Sequence, residues 1–215
     1  MSLFKTTLSA IAPADQALTG EVSARLSTVM EGDDTTLGQT RQLLLRYLAI
    51  AGERHPQPPE KCTVICCADH GVAAEGVSAY PPETTVQMTR NYLISRGAAA
   101  NAFAQYADSE LVVVDMGIAA DTSDVPDLVD ARIAAGTQNM AKGPAMTRQQ
   151  AIQSIEQGIA IAEKLIADGI DCLLPGEMGI ANTTASAAIT AVFCHQTAEA
   201  VTGRGTNISD DRLQK

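Results

Sequence analysis

Three short runs, at residues 63–68, 111–116 and 171–174, are apolar on both faces. A strand with one wet face alternates apolar and polar residues, whereas a strand covered on both sides reads as a continuous apolar run. These runs therefore call for a parallel sheet with helices over each face. The intervening sequence supplies the helices. Ile152, Ile155, Ile159, Ala162 and Ile166 recur at three- and four-residue spacing and make one apolar stripe. Thr147 is placed to cap that helix and Gly169 to stop it. Leu37, Leu44, Tyr47 and Leu48 mark an earlier helix that ends before Gly52 and a Pro-rich stretch at 56–59. Another starts near Pro82-Glu83, with proline in its first turn. The expected fold class is α/β: a three-layer, Rossmann-like parallel sheet with helices on both faces, plus a small helical lobe from the N-terminus. The expected division is a helical lobe at 1–55 and an α/β nucleotide-binding domain at 56–215.

Composition narrows the function classes. A net charge of −10 over 215 residues leaves no basic stripe that could displace counterions from nucleic acid. No stretch reaches the ~18 apolar residues of a membrane span, and the N-terminus lacks a charged-then-apolar leader pattern. The five cysteines, Cys62, Cys66, Cys67, Cys172 and Cys194, are odd in number and lack CxxC spacing. Most lie in apolar runs, which points to reduced, buried thiols in a cytoplasmic protein and away from a zinc site. A core of 46% hydrophobic residues with only 3% aromatics is built from aliphatic side chains, as packed helices and parallel strands prefer.

The segments that can carry chemistry follow the three runs. In a parallel sheet, ligands bind outside the carboxyl ends of the strands. Asp69-His70-Gly71 follows the first run, Asp115-Met116-Gly117-Ile118 closes the second, and Gly176-Glu177-Met178-Gly179-Ile180-Ala181-Asn182-Thr183-Thr184 follows the third. A strand, a Gly-bearing turn and a helix start place backbone N–H groups where an anion can sit. A carboxylate at Glu177, lodged between glycines, suits ribose hydroxyls. The same pattern also fits a tight helix-capping turn, and residues alone do not choose between them. His70 after a strand is more often structural than catalytic, and neither His55 nor His195 has a partner that can be named.

Glu75-Gly76-Val77-Ser78-Ala79-Tyr80-Pro81-Pro82, which continues the Asp69-His70-Gly71 segment and leads to Thr84, Thr85 and Gln87, and Gly203-Arg204-Gly205-Thr206 complete a set of four motifs in order. Together they resemble the nicotinate-nucleotide–dimethylbenzimidazole phosphoribosyltransferases of cobalamin lower-ligand assembly. The resemblance implies that Glu177, Gly179 and Ile180 hold the ribose and phosphate of nicotinate mononucleotide. It implies that Ser78, Ala79, Tyr80 and Gln87 frame an aromatic acceptor base, and that Gly203, Arg204, Gly205 and Lys215 form the cationic side of the phosphate site. It further implies small-molecule substrates, no metal or other cofactor, and a homodimer, with no nucleic-acid or membrane partner.

Two departures accompany the resemblance. Where the family carries a Lys-Pro-x-Gly-Ser-Leu-Gly stretch, this chain reads Gly32-Asp33-Asp34-Thr35-Thr36-Leu37-Gly38. The resemblance also stops at Lys215, short of the family's usual extent, so the general-base glutamate it implies is expected beyond that residue. The rival expectation is a non-catalytic nucleotide-binding subunit or sensor. A dinucleotide-dependent dehydrogenase lacks support, because no G-x-G-x-x-G follows a first strand.

Overall fold

The computed structural model describes residues 2–14, 16–29, 37–52 and 57–213. The chain divides into two compact units, Met1–Pro59 and Glu60–Lys215. The described part of the first unit is helical, with α1 (Leu3–Ala10), α2 (Gln16–Val29) and α3 (Gly38–Ala51). Ser2 caps α1 by accepting the Lys5 amide. Gly52 closes α3 in the left-handed region, donating its amide to Leu48 O. Arg41 Nη2 on α3 donates to Ser23 Oγ on α2 at 2.7 Å.

The second unit runs β1 (Lys61–Ala68), α4 (Thr84–Arg90), α5 (Ala99–Tyr106), β2 (Ser109–Gly117), β3 (Val129–Asp130), α6 (Arg148–Ala167), β4 (Cys172–Met178), α7 (Asn182–Cys194), α8 (Ala198–Val201) and α9 (Asp210–Leu213). The strands lie in the order β3-β2-β1-β4 and every pairing is parallel. Successive side chains of a strand point to opposite faces, and the two core clusters follow that rule. Ile65, Cys67 and Val113 pack with Val86 and Tyr92 on one face. Cys62, Val64 and Val112 pack with Ile161, Leu165 and Ile170 on the other. Helices thus cover both faces, as the apolar runs require.

The predicted caps of α6 are present. Thr147 Oγ1 accepts the Gln150 amide while Gln150 Oε1 accepts the Thr147 amide, a reciprocal capping box. Gly169 follows with φ of 101°. Two boundaries differ from expectation. The third apolar run continues as β4 through Met178, and Gly176 pairs with Ile65. Pro175 pairs with Val64 inside the strand although it has no amide to donate. Pro81 and Pro82 stand before α4, where their carbonyls accept the Thr84 and Thr85 amides, so the prolines shape a turn ahead of the helix.

The cysteine expectation holds for part of the set. Cys62 and Cys67 are buried, Cys66 and Cys172 are half-buried, and Cys194 is exposed near the end of α7. Burial pushes the Cys67 thiol up to about 12, and burial together with the nearby Glu177 charge raises Cys66. No helix among the described residues is long and apolar enough to cross a membrane.

Asp115, 2% exposed, organises the exit from β2. Its Oδ1 accepts the Gly117 and Ile118 amides at 3.0 and 2.8 Å. Its Oδ2 takes Arg132 Nη2 at 2.6 Å and Nε at 3.2 Å. Removing one partner of a buried ion pair strands the other, at a cost of about 3 kcal/mol. Arg132→Ala and Asp115→Ala should each lower the urea unfolding free energy by about that amount. A loss near zero would mean the carboxylate is not holding this loop. At neutral pH Cys194 should alkylate in the folded protein while Cys62 and Cys67 resist until denaturant is added, as peptide mapping of the adducts can show.

Candidate active site

The chain passes from β1 to β2 over the face that α4 and α5 cover, and from β3 to β4 over the face that α6 covers. β1 therefore has neighbours reached in opposite directions, and the carboxyl ends of β1 and β4 border a switch-point crevice. Ala68 leads into Asp69-His70-Gly71 on one side, and Met178 leads into Gly179 on the other.

Gly179 allows the two segments to meet. A Cβ there would collide with Ala68 O and would lie 2.8 Å from Glu177 Oε1 and 2.9 Å from His70 Nε2. Glu177 is the penultimate residue of β4, half-exposed, with Oε1 3.5 Å from His70 Nε2. That separation is long for a hydrogen bond, and Nε2 is buried with no hydrogen-bond partner among the described residues. Asp69 does not orient the ring: its Oδ2 accepts the Ala119 amide at 2.8 Å, and Oδ1 is buried and unpaired.

Beyond Gly179 the backbone turns into α7. Ile180 is buried, and its amide donates to Thr85 Oγ1 at 3.1 Å. The amide expected to face phosphate is therefore engaged, and Ile180 contributes a wall instead. Ala181 has φ of 73°, a conformation that costs a non-glycine residue about 1 kcal/mol. No side chain caps α7 at this point; the Asn182 and Thr184 amides donate to Gly179 O and Ala181 O at 3.1 and 3.2 Å, and Asn182 and Thr183 face the adjoining cavity.

That cavity, about 380 Å³, is lined by Val77, Ser78, Tyr80, Thr84, Met88, Met178, Ile180, Asn182, Thr183 and Thr206, among others. Ser78, Tyr80, Gly179 and Ile180 all line it. Ala79 does not line it but anchors its rim, donating its amide to Thr206 Oγ1 at 2.8 Å. Gln87 is exposed on α4 and outside the lining, whereas Thr84 and Met88 on the same helix are in it. The turn at 203–206 approaches closely, with a Cβ on Gly205 falling 2.9 Å from Thr183 Oγ1. Gly203 and Arg204 stand outside the lining, and the Arg204 guanidinium pairs with Asp210. Lys215 lies outside the described residues, as does most of the divergent stretch at 32–38.

Sequence reasoning does not single out Thr206, Thr84, Met178 or Asn182 as lining residues. Threonine and asparagine near helix starts read as caps, and methionine as core. Only the three-dimensional approach of the 203–206 turn to the 77–80 loop reveals them. Among the described residues no group of three or more His, Cys, Asp or Glu side chains gathers as a ligand set.

A family profile described as phosphoribosyltransferase matches residues 11–215. The chain belongs to this phosphoribosyltransferase family. Among its relatives, the nicotinate-nucleotide–dimethylbenzimidazole phosphoribosyltransferase of Geobacter metallireducens is 45% identical over 215 residues, covering all of this chain and 60% of that protein. The protein of the same name from Chloroflexus aggregans is 41% identical over 216 residues, again all of this chain and 60% of the relative. The crystal structure of CobT from Thermus thermophilus superposes with a TM-score of 0.87 at 39% identity, covering 92% of this chain and 59% of that one. The chain thus spans about 60% of the length of the curated relatives it matches.

Within this phosphoribosyltransferase fold, Gly179→Ala tests the close approach of the two strand ends. Neither the Ala68 carbonyl nor the β4 backbone can retreat, so the variant should lose about 3 kcal/mol of stability, at the upper end of overpacking costs. Chemical denaturation reads this directly. A variant as stable as the parent would show that the strand ends sit farther apart.

Proposed function

We propose that this chain holds the substrates of a phosphoribosyl transfer from nicotinate mononucleotide to dimethylbenzimidazole or a similar aromatic base. The products would be α-ribazole 5′-phosphate and nicotinate, in cobalamin biosynthesis. The observation that carries the reading is the cavity at the switch point, where an apolar wall and the polar side chains of Asn182, Thr183 and Thr206 face the same space. A flat heteroaromatic ring needs apolar surface and a few edge hydrogen bonds. Val77, Tyr80, Met88, Met178 and Ile180 supply the first, and Ser78, Thr84 and Thr206 the second. The names of the relatives support the same substrates.

In this reaction the bond from ribose C1′ to the nicotinate nitrogen breaks as a ring nitrogen of the acceptor bonds to C1′. The acceptor's other nitrogen gives up its proton to a base. Glu177, beside the turn into α7, would hold ribose hydroxyls, with Asn182, Thr183 and Thr206 near the phosphate. Holding both reactants in line supplies much of the acceleration by proximity, and fixed dipoles stabilise the developing charge.

One observation favours the second reading, a nucleotide-binding subunit without chemistry of its own. The cavity lining contains no carboxylate, histidine or lysine among the described residues, so the base is not supplied there. The homodimer and the cytoplasmic location belong to the proposal as well, and light scattering tests the former.

Calorimetry with nicotinate mononucleotide and with dimethylbenzimidazole, followed by chromatography for released nicotinate, tests the assignment. Glu177→Gln should weaken the mononucleotide about tenfold and the base little, the scale of one charge-assisted hydrogen bond. Tyr80→Ala should show the reverse preference. Failure of the parent chain to bind either compound would discard the reading. Acceptor-dependent nicotinate release would place a base within these residues and remove the non-catalytic alternative.

A further inference from the structure

The wall of the cavity formed by residues 76–80 has no regular secondary structure of its own, yet it carries Ser78 and Tyr80 into the lining. A loop of this kind samples many conformations unless its backbone groups are tied down. Its ties come from a segment more than 120 residues away in sequence. Arg212 Nη2 donates to Gly76 O at 2.6 Å and to Ser78 O at 2.9 Å. Thr206 Oγ1 accepts the Ala79 amide at 2.8 Å and lies 3.4 Å from Ser78 Oγ. Ser78 Oγ in turn accepts the Tyr80 amide at 3.2 Å. Two carbonyls of the loop, at Gly76 and Ser78, and two amides, at Ala79 and Tyr80, are thereby engaged.

The segment that supplies these ties is itself anchored. Ile208 is buried, Gly205 abuts Thr183, and Arg204 pairs with Asp210. Arg212 is exposed and is not among the lining residues, so its guanidinium acts on the loop and not on the cavity's contents. A guanidinium suits this task because the two N–H groups of one nitrogen, Nη2, are held in a plane and can serve two carbonyls in fixed geometry.

We propose that Arg212, with Thr206, clasps the 76–80 loop and thereby sets the aromatic-acceptor wall of the cavity. Arg212 is a positioning residue: it acts on the acceptor through Ser78 and Tyr80 and leaves nucleotide binding largely alone. The proposal rests on the acceptor reading given above. The clasp also ties the turn at 203–206, on the phosphate side of that reading, to the acceptor side.

The test uses the full 215-residue chain and calorimetric titration with dimethylbenzimidazole and, separately, nicotinate mononucleotide. Arg212→Ala should weaken the base about tenfold while changing the mononucleotide less than about twofold, the scale of one lost charge-assisted hydrogen bond. Arg212→Lys, which keeps the charge and one donor direction, should recover part of that loss. Amide hydrogen exchange at Ala79 and Tyr80 should speed up in Arg212→Ala and in Thr206→Val, which reads the clasp without any ligand. Equal weakening of both compounds would reduce Arg212 to general structural support and overturn the proposal. Unchanged base affinity, or unchanged exchange at Ala79 and Tyr80, would overturn it too. A parent chain that binds the mononucleotide but no aromatic base would instead overturn the acceptor reading, and the positioning role with it.

Discussion

Strand β1 is packed on both faces and hydrogen-bonded along both edges, and the position of everything else follows from that. An inner parallel strand must be apolar throughout, since neither side reaches water. Its Cys62 and Val64 belong to the cluster under α6, and its Ile65 and Cys67 to the cluster under α4 and α5. Its two neighbours are reached by crossovers over opposite faces, so the loops leaving β1 and β4 diverge around a gap at their carboxyl ends. The ionisable residues of the site gather at the ends of the strands. Asp69 and His70 begin where β1 stops, and Glu177 stands next to last in β4.

The gap is kept narrow by backbone approach, not by side-chain attraction. Gly179 permits Ala68 O and the turn into α7 to come together, and Thr85 reaches up from α4 to take the Ile180 amide. On the far side of the sheet's edge, Asp115 does comparable work for the β2 exit by gathering two amides and Arg132. In each place the polar group is almost wholly buried and its donors or acceptors are matched, which is the condition for a polar group to rigidify a core instead of weakening it.

The layers, the strand order's parallel sense and the loop edge that carries the site were legible because they depend on apolar periodicity and caps, both local properties. Thr147 and Gly169 bracket α6 as their residue types require. The turn at Gly176 was misplaced because proline and glycine ordinarily end strands. The parallel pairing with β1, a property of the whole sheet, carries the strand through Pro175 and Gly176. The same limit applies to Arg204. A basic residue between two glycines looks like an anion ligand until Asp210, six residues on, is seen to pair with it. Cys66 and Cys67 are neighbours with similar surroundings in sequence, yet they face opposite sides of β1, and only Cys67 lies in the dry cluster.

An acidic chain that holds a phosphorylated ligand must concentrate donors locally, and the described residues show how few of those are free cations. Arg204 is paired with Asp210, Arg212 with two carbonyls, and Arg132 with Asp115. On the proposed reading, phosphate contacts fall to the Asn182 and Thr183 side chains facing the cavity at the start of α7, since the Ile180, Asn182 and Thr184 amides already donate to Thr85 Oγ1, Gly179 O and Ala181 O. Such a site has little long-range pull, because its donors carry no net charge, and its selectivity comes from shape. The acceptor wall follows the same logic with different atoms. Met88 and Met178 are soft surfaces that accept several flat rings, so discrimination among them falls to the hydroxyls of Ser78, Thr84 and Thr206. Those groups discriminate only as sharply as their backbone is held, which is why a clasp on the loop bears on the choice of acceptor.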